Sequence, residues 1–171
     1  IGPDTVSAGT ALVNAATVQS AFGRWQAAYD LFARAQANYE ENLPPEDARL
    51  GGLYNNMALA LTALGRCGEA YRCFQRALEI MARQPQGQPE QAITYLNMAD
   101  AVAAEHGMEK GEKKIEQYLT RAQALLEAPG VPHNGYFAFV CEKCAPVFDY
   151  YGWFAFAAAL REQAGRIYEG S

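Results

Sequence analysis

The chain has 171 residues, half of them hydrophobic, and a net charge of −5. That length bounds it to one domain or one short solenoid. The mild acidity, with no basic stripe, argues against nucleic acid, and the longest apolar run is too short to span a bilayer. Alanine is abundant while valine and isoleucine are few, which favours helix throughout. No signal peptide is visible, and four cysteines in so helical a chain read as reduced cytoplasmic thiols rather than a disulfide framework. Ile1 is not an initiator methionine, so the chain is expected to start at a processed or cloned boundary and to be part of a longer protein.

Residues 1–4 read as a loop. Asp4 or Ser7 is placed to cap a first helix running to about Phe22, with Leu12, Ala15, Ala16 and Gln19 in its packing positions and Gly23 ending it. A second helix is expected from about Arg24 to Glu41, with Ala28, Phe32 and Ala35 on its inner face. Asn42–Pro45 is a loop, and Pro45 suits the first turn of the next helix, followed by Glu46 and Asp47. Gly51 and Gly52 sit inside a helical pattern at about 1 kcal/mol each relative to alanine, which implies close approach to a neighbouring helix or to a ligand. Tyr54, Met57, Ala58 and Leu61 then share one face, Gly65 breaks the pattern, and Ala70, Phe74, Ala77 and Leu78 restart it. Ala70, Phe74 and Ala77 repeat Ala28, Phe32 and Ala35 after 42 residues.

Gln84–Gln88 is the next loop, and Pro89 opens a third pair in which Tyr95, Met98, Ala99 and Val102 copy the Tyr54 pattern. Ile115, Leu119 and Ala122 recover the second-helix pattern if the turn around His106–Lys113 is longer by four residues. Ala128–Gly135 is a loop. Anchored on Gly152, a last pair places Cys141, Cys144, Ala145 and Phe148 in packing positions, then Ala157 and Ala164, with Arg161 where the phenylalanines stood. Pro146 lies inside the first of these helices and is expected to kink it.

The helix–turn–helix spacing resembles the tetratricopeptide repeat, in four units at about residues 5–42, 46–84, 88–128 and 135–170. The repeat length near 42 is most similar to the kinesin-light-chain type. The segments GTALVNAATV, LYNNMALAL, ITYLNMADA and YFAFVCEKCAPVF also resemble bacterial members of the superfamily, a similarity that supplies no activity. The resemblance implies an all-α solenoid wound as a right-handed superhelix. First helices would line its concave face and second helices its convex face. It also implies a non-catalytic scaffold for a protein or an extended peptide.

One position just off the packing face carries Asn14, Asn56 and Asn97, and Lys143 in the fourth unit. Asparagine is a poor helix former, so three in phase need a reason. An amide offers donor and acceptor to an extended peptide backbone, the use that the kinesin-light-chain resemblance implies. Alternatively each amide bonds a neighbouring helix or a carbonyl one turn back. Asn55, Thr62, Asp100, Glu142 and Asp149 would share the groove, which makes it polar and slightly acidic.

Cys141 and Cys144 form a single CxxC. A structural zinc site needs four ligands, and two packing positions of a helix read better as small buried hydrophobes than as a metal or redox site. The cluster Phe148, Tyr150, Tyr151, Trp153, Phe154 and Phe156 is either a hydrophobic cap or a patch for homodimerisation. No phosphate loop, HExxH or serine elbow is present, so no cofactor, metal or catalysis is expected.

Overall fold

The computed structural model describes residues 5–170, and every regular element among them is a helix. The helices are α1 (Val6–Ala21), α2 (Trp25–Asn42), α3 (Ala48–Ala63), α4 (Cys67–Ala82), α5 (Gln88–Leu126), α6 (Gly135–Tyr150) and α7 (Phe154–Gly170). The expected loop at residues 1–4, and Asp4 as a cap, lie outside the described residues. Thr5 caps α1 instead, its side chain accepting from the Ala8 amide, and Ser7 lies exposed inside the helix. Pro45 sits in the turn before α3, and Asp47 is the residue that caps it, accepting from the Arg49 amide at 2.9 Å.

Three pairs close on a glycine. Gly23, Gly65 and Gly152 have φ of 71°, 77° and 85°, a region open to glycine at little cost. The amide after each glycine reaches back into the last turn: Arg24 to Gln19, Arg66 to Leu61 and Trp153 to Phe148, at 2.8–2.9 Å. The third pair differs. The expected longer turn around His106–Lys113 is absent: Gly107 is the single non-helical residue within α5, at φ 82° and ψ 167°. A side chain there would cost about 1–3 kcal/mol. The extra residues instead extend the second arm of α5 by roughly one turn, which preserves its face. Gly111, Ile115, Leu119 and Ala122 run along that face, all buried, and a Cβ on Gly111 would stand 2.8 Å from Val102 of the first arm.

Two of the second helices, α2 and α4, wedge between two first helices, while α7 packs on α6 alone. α2 packs on α1 and α3, and α4 packs on α3 and α5. First helices also touch in succession: α1 with α3, α3 with α5, and α5 with α6. Alanines make these approaches possible, and Ala28, Ala35, Ala58, Ala77, Ala99 and Ala122 are fully buried. Phe32, Phe74 and Phe148 fill the spaces between. Gly51 answers one of the two alternatives for the glycine pair, because a Cβ there would lie 2.6 Å from the Met81 methyl of α4. Gly52 faces open space.

In the last pair, Cys141, Cys144, Ala145, Phe148, Ala157 and Ala164 are all buried. Pro146 does not end α6, which continues to Tyr150. Arg161 points outward to an ion pair with Asp149 at 2.6 Å, and the adjacent Leu160 enters the core in its place. Tyrosine hydroxyls fasten successive helices: Tyr54 donates to Glu40 at 2.7 Å, Tyr136 to Glu90, and Tyr151 to Asp100 at 2.6 Å. Burial first, and then the carboxylate, pushes the Tyr54 hydroxyl up to about 12.

Phe74 and Arg161 occupy equivalent places in two units but opposite environments. Phe74→Ala is expected to cost about 3–5 kcal/mol in denaturant melts. Arg161→Ala removes an exposed ion pair and is expected to cost at most about 1 kcal/mol. Equal losses would show that the fourth unit is aligned wrongly.

Candidate functional site

The asparagines lie on the layer of first helices. Asn14 of α1 is exposed, Asn55 and Asn56 of α3 are half-buried, and Asn97 on the first arm of α5 is half-buried. Asp100 follows one turn after Asn97, and Glu142 and Lys143 stand exposed on α6. The Asn97 amide donates to the Asn55 carbonyl oxygen at 3.1 Å, so α5 and α3 are joined by an amide pair offset by one residue from the in-phase row. Among the described residues neither Asn14 nor Asn56 makes a side-chain hydrogen bond. Two expected neighbours are already engaged: Thr62 donates to the Ala58 carbonyl at 2.8 Å, and Asp149 holds Arg161.

Asp100 also lines a cleft of about 590 Å³ between α5 and α6. Its floor is Ala103, Ala104, Pro146 and Val147, and its rim includes Gly107, Met108, Tyr150 and Tyr151. Met108 is 47% exposed and Tyr150 is 70% exposed, both large apolar surfaces facing water. Asp100 is exposed as a residue, yet its carboxyl sits against this apolar lining. Desolvation raises it above the usual carboxylate value, and the Tyr151 hydrogen bond only partly offsets that. Sequence reasoning named Asp100 but not the cleft. Met108 belonged to an expected turn, and Tyr150 and Tyr151 to an expected cap or homodimerisation patch. One signal was present: Pro146 follows Asp100 by 46 residues, the step that separates Lys143 from Asn97.

Cys141 and Cys144 lie in the main core cluster beside Phe137, Ala138 and Leu119. Burial pushes the Cys141 thiol up to about 11 and the Cys144 thiol up to about 12, which suppresses the thiolate that metal binding and redox exchange both need. Among the described residues no three His, Cys, Asp or Glu side chains converge as metal ligands. The aromatic end divides in two. Phe148 packs edge-on to Phe156 at 4.8 Å and tilts against Trp153 at 5.5 Å, while Tyr150 and Phe154 project outward. No helix among the described residues is long and apolar enough to cross a membrane.

A family model for the tetratricopeptide repeat matches residues 49–128, which are α3, α4 and α5. Residues 49–128 thus belong to the tetratricopeptide repeat superfamily, and helix pairs of similar build stand on either side of them. Such repeats generally mediate protein–protein interaction and are generally non-catalytic scaffolds. No curated protein matches the chain.

Two measurements probe this region. The folded pKa of Asp100 lies above its unfolded value, so its contribution favours folding when protonated and is lost as pH rises through the folded value. Asp100→Asn keeps an acceptor for Tyr151 and is therefore expected to raise the melting temperature at neutral pH. That gain should vanish below the ordinary carboxylate range. An unchanged melting temperature at neutral pH would show that the carboxylate is fully solvated. In the second measurement, Cys141 and Cys144 are expected to resist a thiol reagent in native protein at neutral pH and to react on unfolding. Rapid native labelling of either would contradict their burial.

Proposed function

We propose that this protein binds an extended peptide segment of a protein partner along its layer of first helices. The supporting observation is the asparagine row: Asn14 and Asn56 stand in phase on adjacent helices with their amides uncommitted within the fold. Each amide supplies a donor and an acceptor at repeat spacing, which suits a backbone and not any one side chain. Asn97 has a mixed role. Its amide is tied to Asn55, so it braces α5 against α3 and presents the remaining amide atoms of the pair. Asp100, Glu142 and Lys143 extend the row with charge toward the α6 end.

A second reading, homodimerisation through the C-terminal end, draws on the exposed Tyr150 and Phe154. It predicts a molar mass that doubles with rising concentration and falls back in Phe154→Ser.

The peptide reading is tested with peptides selected from a random displayed library against the purified chain. One amide–backbone hydrogen bond is worth about 0.5–1.5 kcal/mol, so Asn56→Ala is expected to weaken a selected peptide about three- to tenfold. Asn14→Ala combined with it should weaken binding further. Alanine is the better helix former, so neither change should lower the melting temperature. Asn97→Ala should lower it, because the amide pair is lost. Unchanged affinity in the Asn14 and Asn56 variants would remove the row from the binding surface.

A further inference from the structure

The second arm of α5 carries a row of glutamates beside the Asp100 cleft. Glu109, Glu112 and Glu116 recur at helical spacing and line one cleft with Met108, Ile115 and Tyr151. Lys110 and Lys114 turn the other way, into the space bounded by Tyr71 of α4 and Tyr118 of α5. Lys113 and Arg121 border a separate cleft on the far side of Glu112 and Glu116, yet among the described residues none of the three glutamates forms an ion pair, and Glu116 accepts from the Trp153 indole N–H at 3.3 Å. The glutamate cleft, of about 370 Å³, shares Met108 and Tyr151 with the Asp100 cleft of about 590 Å³. Neither is lined by a basic residue. The result is one continuous surface with an apolar floor and four carboxylates, with Lys113 and Arg121 on the far side of Glu112 and Glu116 rather than in its lining. The Asp149 carboxylate nearby is already paired with Arg161, and Lys143 lies one turn back on α6, outside both linings.

We propose that this surface receives a basic, apolar-flanked segment of a protein partner, with Lys or Arg side chains among Asp100, Glu109, Glu112 and Glu116 and an aliphatic or aromatic side chain on Met108 and Tyr150. Charge complementarity selects the occupant. An acidic segment would meet like charge, and a purely apolar one would bury carboxylates that have no cation paired to them. Exposed Tyr150 offers a ring face to a cation, and Met108 adapts its shape to the apolar neighbour. A cation beside Asp100 also offsets the cost of keeping that carboxyl ionised against an apolar lining. This inference rests on the reading of the chain as a peptide-binding array and names the partner's chemistry at one end of it. It does not depend on the asparagines.

The test uses three fluorescently labelled peptides of equal length, alternating leucine with lysine, glutamine or glutamate. The lysine peptide is expected to bind at low salt about tenfold or more tightly than the glutamine peptide, to weaken as salt rises, and to outcompete the glutamate peptide entirely. Each of Glu109→Gln, Glu112→Gln and Glu116→Gln should weaken it about two- to fivefold while leaving the glutamine peptide unchanged. Lys110→Gln with Lys114→Gln, on the opposite face, should not weaken it. Tyr150→Ser should weaken both the lysine and the glutamine peptides. All these side chains are exposed, and a melting curve for each variant confirms the fold. The proposal is overturned if the lysine peptide fails to bind, binds no better than the glutamine peptide, or ignores the loss of all three glutamates. Loss of affinity in Asn14→Ala and Asn56→Ala alone, with the glutamate variants unaffected, would retain the asparagine row and reject this cleft.

Discussion

Two helices lie close only where neither carries a bulky side chain at the crossing. In this chain that condition is met by alanine. Ala28 and Ala35 on α2, Ala58 on α3 and Ala77 on α4 are fully buried, and Ala70 nearly so. A single added methyl group or larger side chain at such a site must push a helix off its partner, because packed interiors leave no slack. The phenylalanines are usable only because of this spacing. Phe32 and Phe74 fill the volume that close-set helices leave between neighbouring units, and each repeat then presents the next with the same surface.

The same spacing leaves the first-helix layer with work beyond packing. Residues on the buried side of α3 are almost all apolar, while those beside them include Asn55, Asn56 and Thr62. Some of this polarity serves the fold, as in the Asn97–Asn55 pair and the Thr62 bond to its own helix. Some does not. Asn14 and Asn56 give up helix propensity with no internal return, and Asp100 carries a carboxyl that the fold would rather see neutral. Sites that cost the fold something and repay it nowhere within the fold are where binding is to be sought.

The helices and the core were legible because periodicity and small residues report directly on packing. The Ala–Phe–Ala row recurs at 42 residues, and all six of those side chains are buried. What failed was tied to local competition. Pro45 is a good first-turn residue, but Asp47 is the better cap and set the start of α3. The segment His106–Lys113 looked like a longer turn because its polar residues break the apolar row. Yet a single glycine suffices to redirect the chain, and charged residues with good helix propensity extend the helix beyond it. The cleft was illegible for a different reason. It is made by α5 and α6 together, so its shape depends on how far Gly107 turns the chain, which no pattern along one helix records.

The tyrosine–carboxylate contacts make the units non-interchangeable. Tyr54 finds Glu40 on the preceding helix, but the residue 42 places after Glu40 is Ala82. Tyr95, the counterpart of Tyr54, accordingly turns to the other side, where its ring tilts against Tyr118 and its hydroxyl accepts from Arg121 at 3.4 Å. A tandem copy of the second unit would therefore set a tyrosine hydroxyl against a methyl group. Units that look alike along their packing faces are thus keyed by pairs of residues at their seams, each pair fitting one junction. Two of the three joints carry such an address, and shuffling or duplicating the units would mismatch those seams even where the packing faces agree.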